Sequence, residues 1–159
     1  MKIMFFTLSL RNGGAERVLS ILSNEMSKKH VVSVVTVHNS PDHYKLNKNI
    51  KRIRIDKKER NDGAYIKNKF QKISVNRIKR LIKVLKLEKP DVVITFLPLP
   101  SLYVMLAKRL SKAVRKIPII LSERADPSRE YHNKIIARLA KNLYRDADGF
   151  VFQTEDAKD

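Results

Sequence analysis

Two adjacent glycines, Gly13 and Gly14, follow the first apolar run of the chain and precede a helical pattern. Because they lack a Cβ atom, their backbone N–H groups can approach a ligand closely. The N-terminus of the following helix carries partial positive charge, so a phosphate or diphosphate is the expected ligand. The alternative is structural: a tight turn that needs a left-handed residue. The pair alone leaves both interpretations open.

Six apolar runs have the length and composition of β-strands, and amphipathic segments separate most of them. The runs are Ile3–Leu8, Val31–Val37, Ile50–Ile55, Val92–Leu97, Ile117–Ser122 and Gly149–Phe152. The second, fourth and fifth are nearly continuous in apolar residues, as expected for strands buried on both faces. This alternation predicts an α/β fold, a three-layer αβα Rossmann-like doubly wound parallel sheet of about six strands.

Four helices are predicted from apolar spacing and end signals. They extend from Ala15 to about Lys29, from about Lys67 to Leu87, from Ser101 through Leu110, and from Asp126-Pro127 through Leu143. Ser101 is predicted to cap the third helix. Asp126, with proline at the first helical position, is predicted to cap the fourth.

Right-handed crossovers favour the strand order 3-2-1-4-5-6, which puts the topological switch point between strands one and four. The segments after strands one, four and five then become neighbours. The predicted binding residues on these segments are Asn12, Gly13, Gly14, Phe96, Ser122, Glu123 and Arg124.

The side chains after strand five suit a phosphorylated ligand that bears hydroxyl groups. Glu123 offers a carboxylate for the hydroxyls, and Arg124 offers a guanidinium for phosphate. Their structural alternative is a local ion pair beside the next helix cap. Phe96 and residues 97–100 are expected to line an acceptor groove, or equally to form a stiff connection between strand and helix.

Common nucleotide and metal motifs are missing. A dinucleotide site requires Gly-x-Gly-x-x-Gly and an acid at the end of strand two, but strand two is followed by His38 and Asn39. No Gly-Lys-Ser/Thr phosphate loop occurs, and the histidines lack metal-ligand spacing. We therefore assign no metal site, no cofactor bound by this domain alone and no catalytic residue.

The chain of 159 residues contains no cysteine and has a net charge of +18. The missing cysteines exclude a disulfide scaffold and fit a reducing compartment. No apolar run approaches the roughly 18 residues of a membrane span. We therefore expect one cytoplasmic domain over residues 1–159.

Much of the positive charge lies in residues 45–89, which hold 17 basic and four acidic residues. Such a field attracts polyanions or anionic lipid, although a bias towards lysine on solvated surfaces is the alternative. In the helix from Lys67 to Leu87, the apolar stripe is expected to cover the sheet. Its basic side is then free to contact an anionic membrane surface. Nucleic-acid binding is not expected, because aromatic platforms and recognised motifs are missing.

Three segments resemble the retaining "group 1" glycosyltransferases, family four of the GT-B fold. The segments are Met1–Ile3 with Gly13-Gly14-Ala15-Glu16-Arg17-Val18, then Ser122–Pro127, and finally Val151-Phe152-Gln153-Thr154-Glu155 after Asp148-Gly149. Their order and spacing match the N-terminal, acceptor-side half of that fold across the whole chain. Many members have a histidine after strand five, where this chain has Ser122-Glu123-Arg124.

The resemblance implies a partner domain absent from this chain, which binds the nucleotide-sugar donor and carries paired glutamates. The full-length enzyme would transfer a sugar from a UDP- or GDP-sugar to a lipid-linked or glycan acceptor in surface polysaccharide or glycolipid synthesis. It would work in the cytoplasm, peripherally at the inner membrane face, and the isolated fragment would be inactive. The alternative is a non-catalytic glycosyltransferase-like domain that docks a polyanion, an anionic membrane or a partner protein.

Overall fold

A computed structural model describes residues 1–59, 73–123 and 134–152 of the chain. Its strands are β1 (Lys2–Thr7), β2 (Val31–Thr36), β3 (Lys51–Arg54), β4 (Val92–Phe96), β5 (Ile119–Glu123) and β6 (Gly149–Phe152). Its helices are α1 (Gly14–Met26), α2 (Val75–Glu88), α3 (Pro98–Leu110), α4 (Lys112–Arg115) and α5 (Lys134–Tyr144).

All six of these strands form one sheet in the order β3-β2-β1-β4-β5-β6, and each neighbouring pair is parallel. The predicted order and switch point are therefore confirmed. The chain runs outward from β1 to β3 and then returns across the sheet to β4, so β1 and β4 lie side by side at the centre.

Side chains of β1 alternate between two apolar cores, one on each face of the sheet. Ile3 and Phe5 pack in the core that contains Leu19 of α1. Met4 and Phe6 pack in the other core, with buried residues of α2, α3 and α5. Helices thus cover both faces, which confirms the three-layer αβα architecture.

Helix α2 buries apolar side chains on one face and exposes lysines on the other, as expected. Ile78, Leu81 and Leu85 are buried in the core, while Lys79 and Lys83 are exposed. The predicted start near Lys67 lies outside the described residues. However, residues 73 and 74 are not helical, so one continuous helix through them is wrong. The N–H of Ser74 instead donates to the hydroxyl of Tyr103 at 3.0 Å.

Helix α3 begins at Pro98, so the prediction that Ser101 caps it is wrong. The cap is Leu97, and proline occupies the first helical turn, where its missing N–H costs no hydrogen bond. Ser101 is buried inside the helix. Its hydroxyl lies 2.7 Å from that of Thr95 and donates to the carbonyl of Leu97 at 2.9 Å.

The observed ends of other helices and strands differ from the predicted ends by a few residues. Helix α1 ends at Met26 rather than near Lys29, and β5 begins at Ile119 rather than Ile117. The short helix α4 was not predicted, because four residues carry too little periodicity to detect. The predicted cap at Asp126 lies outside the described residues.

We predict that Leu81→Ala lowers the free energy of unfolding by about 3 kcal/mol, because the substitution removes a fully buried side chain and leaves a cavity. Leu87→Ala on the same helix is the matched control. Leu87 is 69% exposed, so its loss should change stability by about 0.5 kcal/mol or less. Urea denaturation measures both, and equal effects would contradict the assigned faces of α2.

Candidate functional site

Residues 12–14, which we name the glycine turn, lie after β1 and end at the first residue of α1, at the switch point. Gly13 is the residue before the helix, with an extended backbone at φ −159° and ψ 157°, and Gly14 is the first helical residue. Neither glycine has a positive φ. The structural alternative, a turn that needs a left-handed residue, is therefore wrong.

A Cβ atom added at Gly14 would meet no atom of the described residues within 4 Å, so these residues leave the space beside Gly14 open. At Gly13 the same atom would lie 2.2 Å from a carboxylate oxygen of Glu16, which folds back over the turn. Burial raises the pKa of Glu16, and a hydrogen bond with backbone lowers it by less. The carboxyl group of Glu16 therefore lies at the helix N-terminus, where burial makes its charged form less favourable than in water.

The backbone segments predicted to meet do lie on one edge of the sheet. Phe6 of β1 pairs with Thr95 of β4, and Phe96 pairs with Ser122 of β5. The carboxyl ends of β1 and β5 are therefore two strand spacings apart, about 10 Å. Glu123 is the last residue of β5.

Two of the side chains predicted to bind the ligand, those of Phe96 and Ser122, are buried. Phe96 is 1% exposed and packs near Phe5, with ring centroids 6.2 Å apart. Ser122 is also 1% exposed. Asn12 and Gly14 are exposed. The side chain of Glu123 and the whole of Arg124 lie outside the described part of the chain, so their roles stay predictions.

Leu97 joins β4 to α3 with φ 73° and ψ 151°, a conformation that side chains rarely adopt. Pro98 disfavours the right-handed helical region for the residue before it. Such backbone costs about 1–3 kcal/mol and occurs often at functional sites. This strained residue directly follows β4, the strand that pairs with β1, and sequence reasoning missed it.

A second group that sequence reasoning missed lies after β2 and β3. Asp56 accepts two hydrogen bonds from Arg77 of α2, at 2.9 and 2.7 Å. The buried ring of His38 lies 3.3 Å from the same carboxylate. The position of polar residues directly after two strands was the signal available, because parallel strands end on one edge.

The charge of Asp56 is stabilised by its partners. Burial raises its pKa, but hydrogen bonds and charge attraction from Arg77, followed by those from His38, outweigh burial. The pKa of Asp56 therefore lies below its ordinary value of 3.8. This ion pair fastens α2 to the carboxyl end of β3.

Among residues 1–59, 73–123 and 134–152, no cluster of three or more His, Asp or Glu side chains is arranged to hold a metal ion. No helix formed by these residues is both long and apolar enough to cross a membrane.

Sequence comparison identifies relatives. Residues 12–159 match the family model for Glycosyltransferase Family 4. One curated relative from Campylobacter jejuni subsp. jejuni serotype O:2 is named GalNAc-alpha-(1->4)-GalNAc-alpha-(1->3)-diNAcBac-PP-undecaprenol alpha-1,4-N-acetyl-D-galactosaminyltransferase. It is 35% identical over 128 residues, which cover 79% of this chain and 33% of that protein. The chain thus spans about a third of this relative's length.

Solved structures with the same fold include two enzyme types. Sucrose-phosphate synthase from Thermosynechococcus elongatus matches 94% of the chain with a TM-score of 0.64 and 8% identity. UDP-GlcNAc 2-epimerase from Neisseria meningitidis matches 99% with a TM-score of 0.60 and 19% identity. The chain covers 42% of each of these structures. At such identities the likeness shows the fold alone.

We predict that Asp56→Asn lowers the free energy of unfolding by about 1–2 kcal/mol at pH 7, because Arg77 loses a partly buried partner that solvent screens in part. Because the folded pKa of Asp56 is depressed, its contribution is present above pH 3.8 and is lost as pH falls through the folded pKa. The difference between wild type and variant should therefore shrink in acid. Urea denaturation between pH 7 and pH 3 measures this.

Asp146→Asn is the matched control for this titration. Asp146 forms an exposed 3.7 Å pair with Arg109, and exposed pairs contribute little. A gap between wild type and Asp56→Asn that stays constant with pH would contradict the assigned charge state.

Proposed function

The chain belongs to glycosyltransferase family 4, and from this membership we propose that it is the N-terminal, acceptor-side domain of a sugar-transferring enzyme. We infer that the donor-binding domain lies elsewhere in a longer protein. The coverage of the curated relative, of which the chain matches 33%, supports this inference.

The observation that carries the proposal is the open glycine turn at the switch point. The first N–H groups of a helix have no partner within it, and none of the described residues fills the space beside Gly14. A nucleotide-sugar, of the UDP or GDP type, leaves as a diphosphate when its sugar is transferred. Backbone amides directed at that leaving group would stabilise its growing charge once the two domains close on the donor.

The acceptor is proposed to be a lipid-linked glycan. The name of the curated relative describes a substrate on an undecaprenyl diphosphate carrier, which supports this class. Asn12 is proposed to face the ligand beside the turn, while Glu123 and Arg124 would hold sugar hydroxyls and phosphate. Phe96 and Ser122, which are buried, would shape the rim from beneath.

A lipid-linked acceptor requires the enzyme to work at a membrane surface, and we propose the inner face of the cell membrane. Helix α2 supports this proposal, because its exposed face carries lysines while Ile78, Leu81 and Leu85 are buried in the core. Each lysine near anionic lipid contributes about 1 kcal/mol. Contact would therefore be electrostatic and peripheral.

We predict that Gly14→Ala in the full-length protein lowers kcat at least tenfold, because the new methyl group occupies the space proposed for the diphosphate. Its melting temperature should stay equal or rise, since alanine favours helix over glycine by up to about 1 kcal/mol. Turnover of UDP- and GDP-sugars with a polyprenyl-diphosphate-linked acceptor, together with thermal unfolding, provides the measurement.

Gly149→Ala is the matched control, because its new Cβ would make an ordinary 3.7 Å contact with Ile120 at the amino end of β6. It should leave kcat unchanged. Full turnover by Gly14→Ala would contradict the diphosphate role. Wild-type protein that binds anionic vesicles yet transfers no sugar would favour the non-catalytic binding domain instead.

We also predict that replacing Lys79, Lys83 and Lys86 by glutamine weakens binding to phosphatidylglycerol vesicles by about fivefold per lysine. Binding by wild type should fall with added salt and be weak on neutral phosphatidylcholine. Lys29→Gln, in the exposed turn that follows α1, the helix covering the opposite face of the sheet, is the control. If Lys29→Gln weakened vesicle binding as much as the α2 substitutions did, the proposal that α2 faces the membrane would be contradicted.

A further inference from the structure

The connection between β2 and β3 spans residues 37–50 and has no regular secondary structure. Connections longer than about 12 residues within a compact domain are usually functional. We name this connection the β2–β3 strap. It reaches the connection between β1 and α1, although β1 and β3 lie on opposite sides of β2 in the sheet. Its contacts there include the glycine turn.

Tyr44 of the strap makes the central contact. Its hydroxyl donates to the carbonyl oxygen of Gly13 at 3.0 Å and lies 3.3 Å from the side-chain oxygen of Asn12. One residue earlier, the N–H of His43 donates to the carbonyl of Leu10 at 2.8 Å. The strap therefore holds the β1–α1 connection at three residues.

The strap is itself fastened on both sides of Tyr44. Before it, Asp42 accepts two hydrogen bonds from Arg52 of β3, at 2.9 and 2.8 Å. After it, Asn24 of α1 receives the N–H of Asn47 at 2.8 Å and donates to the carbonyl of Lys45 at 3.0 Å. The hydroxyl of Tyr44 is thus presented from a fixed backbone.

The carbonyl that Tyr44 contacts determines the direction of one amide. Gly13 C=O and Gly14 N–H belong to the same planar peptide group and point in opposite directions. The carbonyl already accepts the first helical bond from Arg17, at 3.0 Å, so Tyr44 occupies its remaining acceptor position. Neither glycine has a side chain that could restrict rotation of this peptide.

We propose that Tyr44 is the positioning residue of the glycine turn: it orients the Gly14 N–H towards the donor diphosphate. The inference rests on the proposed function, because it assumes that this amide meets the diphosphate in the closed enzyme. Tyr44 itself touches no reacting atom. Its effect is transmitted through the Gly13–Gly14 peptide.

The test is Tyr44→Phe in the full-length protein, which removes the hydroxyl and keeps the ring. Loss of one hydrogen bond that positions a charge-stabilising amide should lower kcat about fivefold, the factor that corresponds to roughly 1 kcal/mol. The KM for the nucleotide-sugar should change less than twofold, because the amide acts mainly on the charge that develops in the transition state. Amide hydrogen exchange in a peptide covering residues 9–16 should become faster.

Asn49→Ala is the matched control. It removes one hydrogen bond from the same strap to a backbone carbonyl, that of Ser27, at 2.9 Å. This bond lies at the other end of α1, about 20 Å from the turn by the helical rise of about 1.5 Å per residue. Asn49→Ala should lower the melting temperature about as much as Tyr44→Phe, without changing kcat or exchange in residues 9–16.

Unchanged exchange in residues 9–16 of Tyr44→Phe, or faster exchange with unchanged kcat, would overturn the positioning role. So would an equal loss of kcat in Asn49→Ala, since it would reflect stability alone. If wild-type protein transfers no sugar at all, the proposed function fails, while exchange still decides whether Tyr44 holds the turn.

Discussion

The adjacency of β1 and β4 is the constraint on which the rest of the structure depends. The chain builds outward from β1 to β3 and then resumes on the other side of β1. The connections that leave β1 and β4 therefore diverge to opposite faces, and a crevice opens between them at the carboxyl edge. The glycine turn follows β1 and the strained Leu97 follows β4, so both lie at this edge of the sheet.

The glycine turn combines accessibility with rigidity. Its accessibility comes from missing side chains, since none of the described residues fills the space beside Gly14. Its rigidity cannot come from the glycines themselves, which are conformationally permissive. Hydrogen bonds from the β2–β3 strap supply it, and the strap is held in turn by α1 and β3.

Helix α2 illustrates how one element serves both core and surface. Its apolar stripe completes the core, and its exposed lysines add to the positive field of the chain. Arg77 differs from these exposed lysines, because it turns inward to the carboxylate of Asp56. That pair joins the helix to the edge of the sheet that carries the site. A cationic surface is thereby held in a fixed orientation relative to the glycine turn.

The sequence by itself determined the fold class, the strand order and the family, because these follow from apolar periodicity, crossover handedness and short motifs. It also located the glycine turn, although it left open whether the turn needs a left-handed residue. Only the tertiary structure decided that question and showed that Phe96 and Ser122 are buried. The start of α3 at Pro98, the contact from Tyr44 to Gly13 and the pairing of Asp56 with Arg77 were likewise decided there. The physical reason is range: periodicity and capping act between residues close in sequence, whereas these contacts join segments that meet only when the sheet has assembled.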